Sequence, residues 1–272
     1  HPWVPDVYQG APTPVTALMA SATKIAAFGA LLRVFLVALP GLHDQWRPVL
    51  WAVAIATMVF GSVVALTQTD IKRMLAYSSV SHIGFMLTAL VPGGGEPPGS
   101  NSGLSASMFY LAAYGVSVLA AFGLVGLVRR STSTTAGSGL APEEPDITRW
   151  RGLGRRHPVF GALLSLLLLA FAGIPLTSGF VAKFAVFGAA LAGEEVALVV
   201  VGVVCSAIAA FFYIRVILLM FFAEPPADPP EVVTPGALTA VSVAAGAGVT
   251  VVLGVAPQPL LDLADRAAPF LH

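Results

Sequence analysis

Three basic side chains stand inside apolar runs that would otherwise exclude charge. They are Lys24 in "VTALMASATKIAAF", His82 in "YSSVSHIGFML" and Lys183 in "GIPLTSGFVAKF". A charged group near a bilayer centre costs several kcal/mol, so an ionisable residue there marks function by default. At helical rise, Lys24 lies about 15 Å beyond Pro14, His82 about 14 Å beyond Arg73, and Lys183 about 16 Å before Glu194. All three depths are near the middle of a hydrocarbon core about 30 Å thick. The fourteen Asp and Glu fall in loops or at span ends, so none within a span pairs with these bases. Burial without a partner disfavours the charged form of an amine, and an imidazole exchanges protons near neutrality unaided. A lysine, a histidine and a lysine at one depth therefore suit stepwise proton transfer through water and hydroxyls. They suit a sodium site poorly, since that wants carboxylates and carbonyls. A lone intramembrane histidine also fits a plain hydrogen-bonded helix contact, and for His82 both readings stand. Haem would want a second histidine, and His43 and His157 sit at other depths.

Supporting polar groups follow the helical period. Thr16, Ala20 and Ser21 share the Lys24 face, a small polar stripe that packs helices closely or admits water. Thr13 is expected as the N-cap, with Pro14 at the first helical position. Ser78 and Ser79 lie one turn before His82, and Ser81 is adjacent. Arg33 and Arg215 lie near span ends, can snorkel to an interface, and read as structural. The single cysteine, Cys205, cannot form an internal disulfide and reads as a small core residue. No cluster suits zinc or iron–sulfur, and neither a nucleic-acid motif nor a phosphate-cradling glycine loop is present.

The stretch from Pro158 to Gly193 would run roughly 53 Å as one helix. That is too long for one crossing and too short for two. Pro175 lacks the N–H that would bond the Phe171 carbonyl, and Gly173 and Gly179 loosen the backbone on either side. One discontinuous span over Pro158–Ala192, unwound near Gly173–Ser178, is the economical solution. Such a break is tolerated where it is buried in protein or lines a cavity. The break and Lys183 are expected to form one site.

These residues need an all-α polytopic membrane scaffold. The chain is 57% hydrophobic and 10% charged, against roughly 25% charge in soluble domains. Its continuous apolar runs lack the alternation of barrel strands. Seven spans are predicted, near Pro14–Leu39, Val49–Leu66, Arg73–Val91, Leu104–Val128, the discontinuous Pro158–Ala192, Val196–Ala223 and Ala237–Val255. Loops on one side hold Lys72, Arg73, Arg129, Arg130, Arg149, Arg151, Arg155 and Arg156, while the other side holds only Arg47 and Arg266. The positive-inside bias puts the N-terminal segment and the long loop 129–157 in the cytoplasm and the C-terminus outside. The opening "HPWVPDVYQGAPTP" has neither an initiator methionine nor a signal-peptide pattern, and reads as a piece of a longer chain.

Three motifs, "HPWVPDVYQGAPTPVTALMASATKIAAF", "LTQTDIKRMLAYSSVSHIGFML" and "GIPLTSGFVAKF", together resemble the antiporter-like membrane subunits of respiratory complex I. The "PDVYQGAPTPV" form resembles one bacterial branch of that family more than its two sister branches. The likeness extends to "GVAPQPLLDLA" near the end. It implies half of an inverted-repeat fold of fourteen helices, with this chain similar to helices eight to fourteen. Residues 1–39 would carry the opening motif and last helix of the first repeat, 49–223 the second five-helix repeat with its broken helix, and 224–272 the final helix and an outer tail. Lys24 would be the central lysine, His82 a polar link and Lys183 the outlet-side lysine of the broken helix. One sister branch is expected to carry Glu at the Lys183 position. Lys72, in the "IKR" motif at the cytoplasmic helix end, reads as interfacial, with a structural role open. The family's glutamate–lysine pair lies in the first repeat and is absent here.

The resemblance implies a proton-translocating subunit of an NADH–quinone oxidoreductase in the bacterial cytoplasmic membrane. NADH, flavin, iron–sulfur clusters and quinone would sit on other subunits, with no cofactor or metal on this chain. Partners would be the other membrane and peripheral subunits, including antiporter-like neighbours, and the lipid bilayer, with no nucleic acid. Two rivals remain: a subunit of a multisubunit sodium/proton antiporter, and a non-conducting scaffold whose lysines merely bind backbone carbonyls.

Overall fold

A computed structural model describes residues 3–92, 103–131 and 141–267. The expected loop "PGGGEPPGSNSG" falls almost wholly outside the described residues, as do His1, Pro2 and Glu96.

The architecture is a helical membrane bundle. A short α1 (Val4–Gly10) precedes α2 (Thr13–Leu32), whose last turns, Arg33–Ala38, widen into a π-helix. Then come α3 (His43–Leu66), α4 (Ile71–Thr88) and α5 (Gly103–Val125). A four-residue α6 (Leu153–Arg156) leads into α7 (Pro158–Ala172) and α8 (Ser178–Ala192). The chain closes with α9 (Val196–Phe222), α10 (Ala237–Val255) and α11 (Gln258–Ala267). Among the described residues, five helices are long and apolar enough to cross a membrane: α2 with its π-turns, α3, α5, α9 and α10. The buried α4 and the α7–α8 pair complete the seven predicted spans. Nearly all of α4 is buried, from Ile71 to Thr88. It packs against protein, so it carries three serines and a histidine that a lipid-facing helix would not tolerate.

Some local expectations are corrected. Thr13 is not an N-cap: it lies inside α2, and Pro12 holds the cap position without a side-chain bond. Its hydroxyl instead donates to the Glu143 carboxylate, a charge-assisted bond that outcompetes a neutral cap. Lys72, in the first turn of α4, is buried against protein rather than exposed. Its Nζ donates to the Ala11 carbonyl at 2.6 Å and lies 3.4 Å from Glu143 Oε2.

The arginine-rich connection is a built layer. Strand β1 (Val128–Arg129) pairs antiparallel with β2 (Glu231–Val232), with Val128 opposite Val232 and Arg129 opposite Glu231. The buried Glu144 forms ion pairs with Arg130 and Arg149, at 3.5 and 3.0 Å. Buried Trp150 donates its indole N–H to the Glu144 carbonyl. The arginines of this connection thus hold loops together. Arg215 donates to the Leu66 carbonyl at the end of α3 and to that of Gln68 just past it. The segment read as a tail contains α11.

Candidate functional site

The break falls where the sequence put it. Helix α7 ends at Ala172, Gly173 caps it in the left-handed region at φ 86°, and α8 begins at Ser178. Leu176 is also left-handed, at φ 68°. A Cβ on Gly179 would collide with the Ala170 carbonyl, so α8 starts beside the last turn of α7 rather than beyond it. That overlap fits 35 residues of broken helix into one crossing.

Lys183 closes the break. Its Nζ donates to the carbonyls of Phe171 and Ala172, both at 2.9 Å, and to Ser206 Oγ at 2.8 Å. These carbonyls end α7, where helical donors run out and the dipole favours a cation. The ammonium also lies 5.0 Å from the Phe85 ring centroid.

His82 is set among tyrosines. Its Nδ1 lies 2.6 Å from the Tyr110 hydroxyl and its Nε2 3.4 Å from that of Tyr213. Ser78 bonds the Tyr213 hydroxyl and Ser79 bonds Tyr114 at 2.8 Å. The two serines therefore orient the aromatic groups around His82 rather than the imidazole itself.

Lys24 differs. Its Nζ is buried without a hydrogen-bond partner among the described residues and lies 4.8 Å from the Tyr114 ring centroid. Cation–π attraction offsets part of the cost of an unpaired ammonium. Thr16 and Ser21, expected to support Lys24, donate their hydroxyls to the Tyr8 and Ala17 carbonyls at 3.1 and 3.0 Å.

The three bases gather around one aromatic cluster. Tyr114 touches Lys24 on one side, and its ring centroid is 4.5 Å from that of His82. Phe171 lies 5.8 Å from His82, and its carbonyl receives Lys183. The Phe85 ring lies against both, 5.7 Å from the His82 centroid and 5.0 Å from Lys183 Nζ, so the two bases share an apolar neighbour. A void of about 10 Å³ lies beside His82 and the start of α8, with Tyr110, Tyr114, Ser117 and Ser178 also on its walls, about the space one water needs. Sequence reasoning missed Tyr110, Tyr114, Tyr213 and Ser206. The tyrosines' one signal was three phenols within otherwise apolar runs.

A broken crossing helix with buried bases at its break defines an antiporter-like membrane protein. The chain belongs to the Proton_antipo_M family, described as NADH:quinone oxidoreductase/Mrp antiporter, TM, which matches residues 1–209. It is 62% identical over 272 residues to NADH-quinone oxidoreductase subunit N of Rhodococcus opacus, covering 100% of this chain and 48% of that one. The respiratory complex I structure from Thermus thermophilus matches with TM-score 0.77 and 31% identity, over 96% of this chain and 54% of that chain. The Mrp complex structure from a Dietzia species matches with TM-score 0.82 and 25% identity, over 100% and 55%. The chain spans about half the length of the curated relatives it matches. The resemblance read from the three motifs is borne out, and the branch singled out by "PDVYQGAPTPV" is subunit N.

Proposed function

We propose that this chain works as part of subunit N of a bacterial NADH–quinone oxidoreductase, moving protons across the cytoplasmic membrane through Lys24, His82 and Lys183. The observation that carries the reading is the gathering of these three bases around one aromatic cluster, with Tyr114 against both Lys24 and His82 and Phe171 joining the cluster to the broken helix. The 62% identity to a subunit N favours this assignment over an Mrp-type antiporter, to which the fold is equally similar. Electron transfer through NADH, flavin, iron–sulfur clusters and quinone belongs to other subunits, whose coupling reaches this site as changed hydration and lysine charge. The arginine-rich layer faces the cytoplasm and the C-terminus the outside. Residues 1–39, 49–223 and 224–272 divide as the end of one repeat, a second five-helix repeat, and a final segment.

A second reading has its own support: every donor of Lys183 finds an acceptor in Phe171, Ala172 or Ser206, as a purely structural lysine would. The whole complex carrying Lys183→Ala, assembled and sealed in vesicles, separates the two. NADH–quinone electron transfer and proton uptake are recorded together. Loss or marked reduction of uptake supports the relay; unchanged rate and stoichiometry make Lys183 structural.

A further inference from the structure

At the basic face, the ends of α5, α7 and α10 leave an open groove of about 510 Å³. Its walls are apolar, with Leu124 from the end of α5 and Leu127 just past it, Phe160 and Leu163 from α7, and Ala240 and Val243 from α10. Leu163 is five residues into α7 and Val243 six into α10, so the groove runs about 8–9 Å along the helices. Its polar groups, Arg156, His157 and Thr234, stand at the helix starts. One end is therefore hydrocarbon-like and the other basic, at the level where a membrane protein meets headgroups.

Two side chains at that end are under-used. The exposed Arg156 makes one long bond, 3.4 Å, to the Pro230 carbonyl, a small part of its five-donor capacity. His157 Nε2 is buried without a hydrogen-bond partner among the described residues, and a buried polar atom left so calls for an explanation. The acidic group near this end is Glu231, which stands opposite Arg129 in the strand pair.

We infer that this groove binds an anionic glycerophospholipid of the bilayer, with the phosphate on Arg156 and His157 and an acyl chain between α5, α7 and α10. A basic pocket between crossing helices on the positive side is where such headgroups bind. The apolar walls fit an acyl chain, and the neutral imidazole presents a donor to a phosphate or ester oxygen. The inference does not rest on the proton-relay reading.

The test is a photocrosslink in the whole complex, with p-benzoylphenylalanine replacing Leu163, in vesicles of equal phosphatidylglycerol and phosphatidylcholine. The adduct is identified by mass. Phosphatidylglycerol adducts are expected to exceed phosphatidylcholine adducts about fivefold. Adding Arg156→Gln and His157→Gln brings the ratio to about one at unchanged total yield, while Arg156→Lys alone retains the excess. Equal adducts in the parent, a ratio indifferent to both substitutions, or adducts to a protein segment instead of lipid would each overturn the assignment.

Discussion

Lys183 Nζ donates to the Phe171 carbonyl, the one that Pro175 leaves without its helical N–H. The lysine and the proline are complementary: one removes a donor from the end of α7, the other supplies it from α8. A cation at a helix C-terminus is also favoured by the dipole. The opening that admits charge to mid-membrane is thus closed by that charge.

Replacing Lys183 with Met keeps much of the volume but withdraws three donors. The buried Phe171 carbonyl loses its partner while Ala172 keeps a 3.4 Å bond from Ser206, and an unsatisfied group costs about 1–3 kcal/mol. A lower Tm of the detergent-solubilised complex is expected, whether or not pumping is also lost. An unchanged Tm would mean the break is satisfied in another way.

Gly173→Ala strains the same junction from its other side. Gly173 has φ 86°, and an added Cβ would sit 3.0 Å from Lys183 Cδ and 3.3 Å from Nζ. The left-handed conformation alone costs a non-glycine residue about 1–2 kcal/mol. Proton uptake per electron pair should fall in Gly173→Ala while Gly188→Ala, where nothing crowds an added Cβ, leaves it unchanged. Equal uptake in both variants would contradict a need for this junction.

Tyr110→Phe removes the hydroxyl 2.6 Å from His82 Nδ1 without opening a cavity. Under the relay reading it lowers proton uptake in vesicles, and the pH profile of uptake shifts as His82 loses a partner. Full uptake with an unshifted profile would reduce the tyrosine to packing.

Breaking the Lys72–Glu143 pair with Lys72→Met should destabilise the complex by less than the roughly 3–5 kcal/mol seen for fully buried pairs, because Glu143 keeps Thr13 and Arg129 as neighbours. The double change Lys72→Met with Glu143→Gln should recover part of the loss. Additive chemical-denaturation midpoints would show that the two side chains do not couple.

His157 gives the pH dependence outside the spans. Burial, then the nearby Arg156, hold its pKa below the ordinary 6.5, with Glu231 opposing. Below 6.5 the unfolded chain takes up the proton more readily than the fold, so this residue's contribution is full above 6.5 and declines as pH falls. Between pH 7 and pH 5, His157→Gln should flatten part of the drop in Tm. A parallel drop in both proteins would remove His157 as a cause.

What could be read from the residues divides along chain distance. The break was legible because Gly173, Pro175 and Gly179 constrain their own backbone. Lys24, His82 and Lys183 stood out because charge in hydrocarbon is costly wherever the neighbours lie. The tyrosines escaped because a phenol in an apolar run looks like packing until its partner is known, and Tyr213 meets Ser78 across 135 positions. Thr13 was misread for the same reason: its strongest acceptor, Glu143, lies 130 residues downstream. The ordered basic layer was hidden too, since arginine, glycine and proline in a loop read as spacing, and its pairing with residues after α9 leaves no local period.

The β1–β2 pair has a consequence for the order of synthesis. Val128 finds its partner in Val232, about a hundred residues later, so at 5–20 residues per second the first strand waits roughly 5–20 s for the second. Helices α7, α8 and α9 must be threaded before the two strands can meet. The basic layer is therefore a late seal, completed only after the broken helix beneath it has been made.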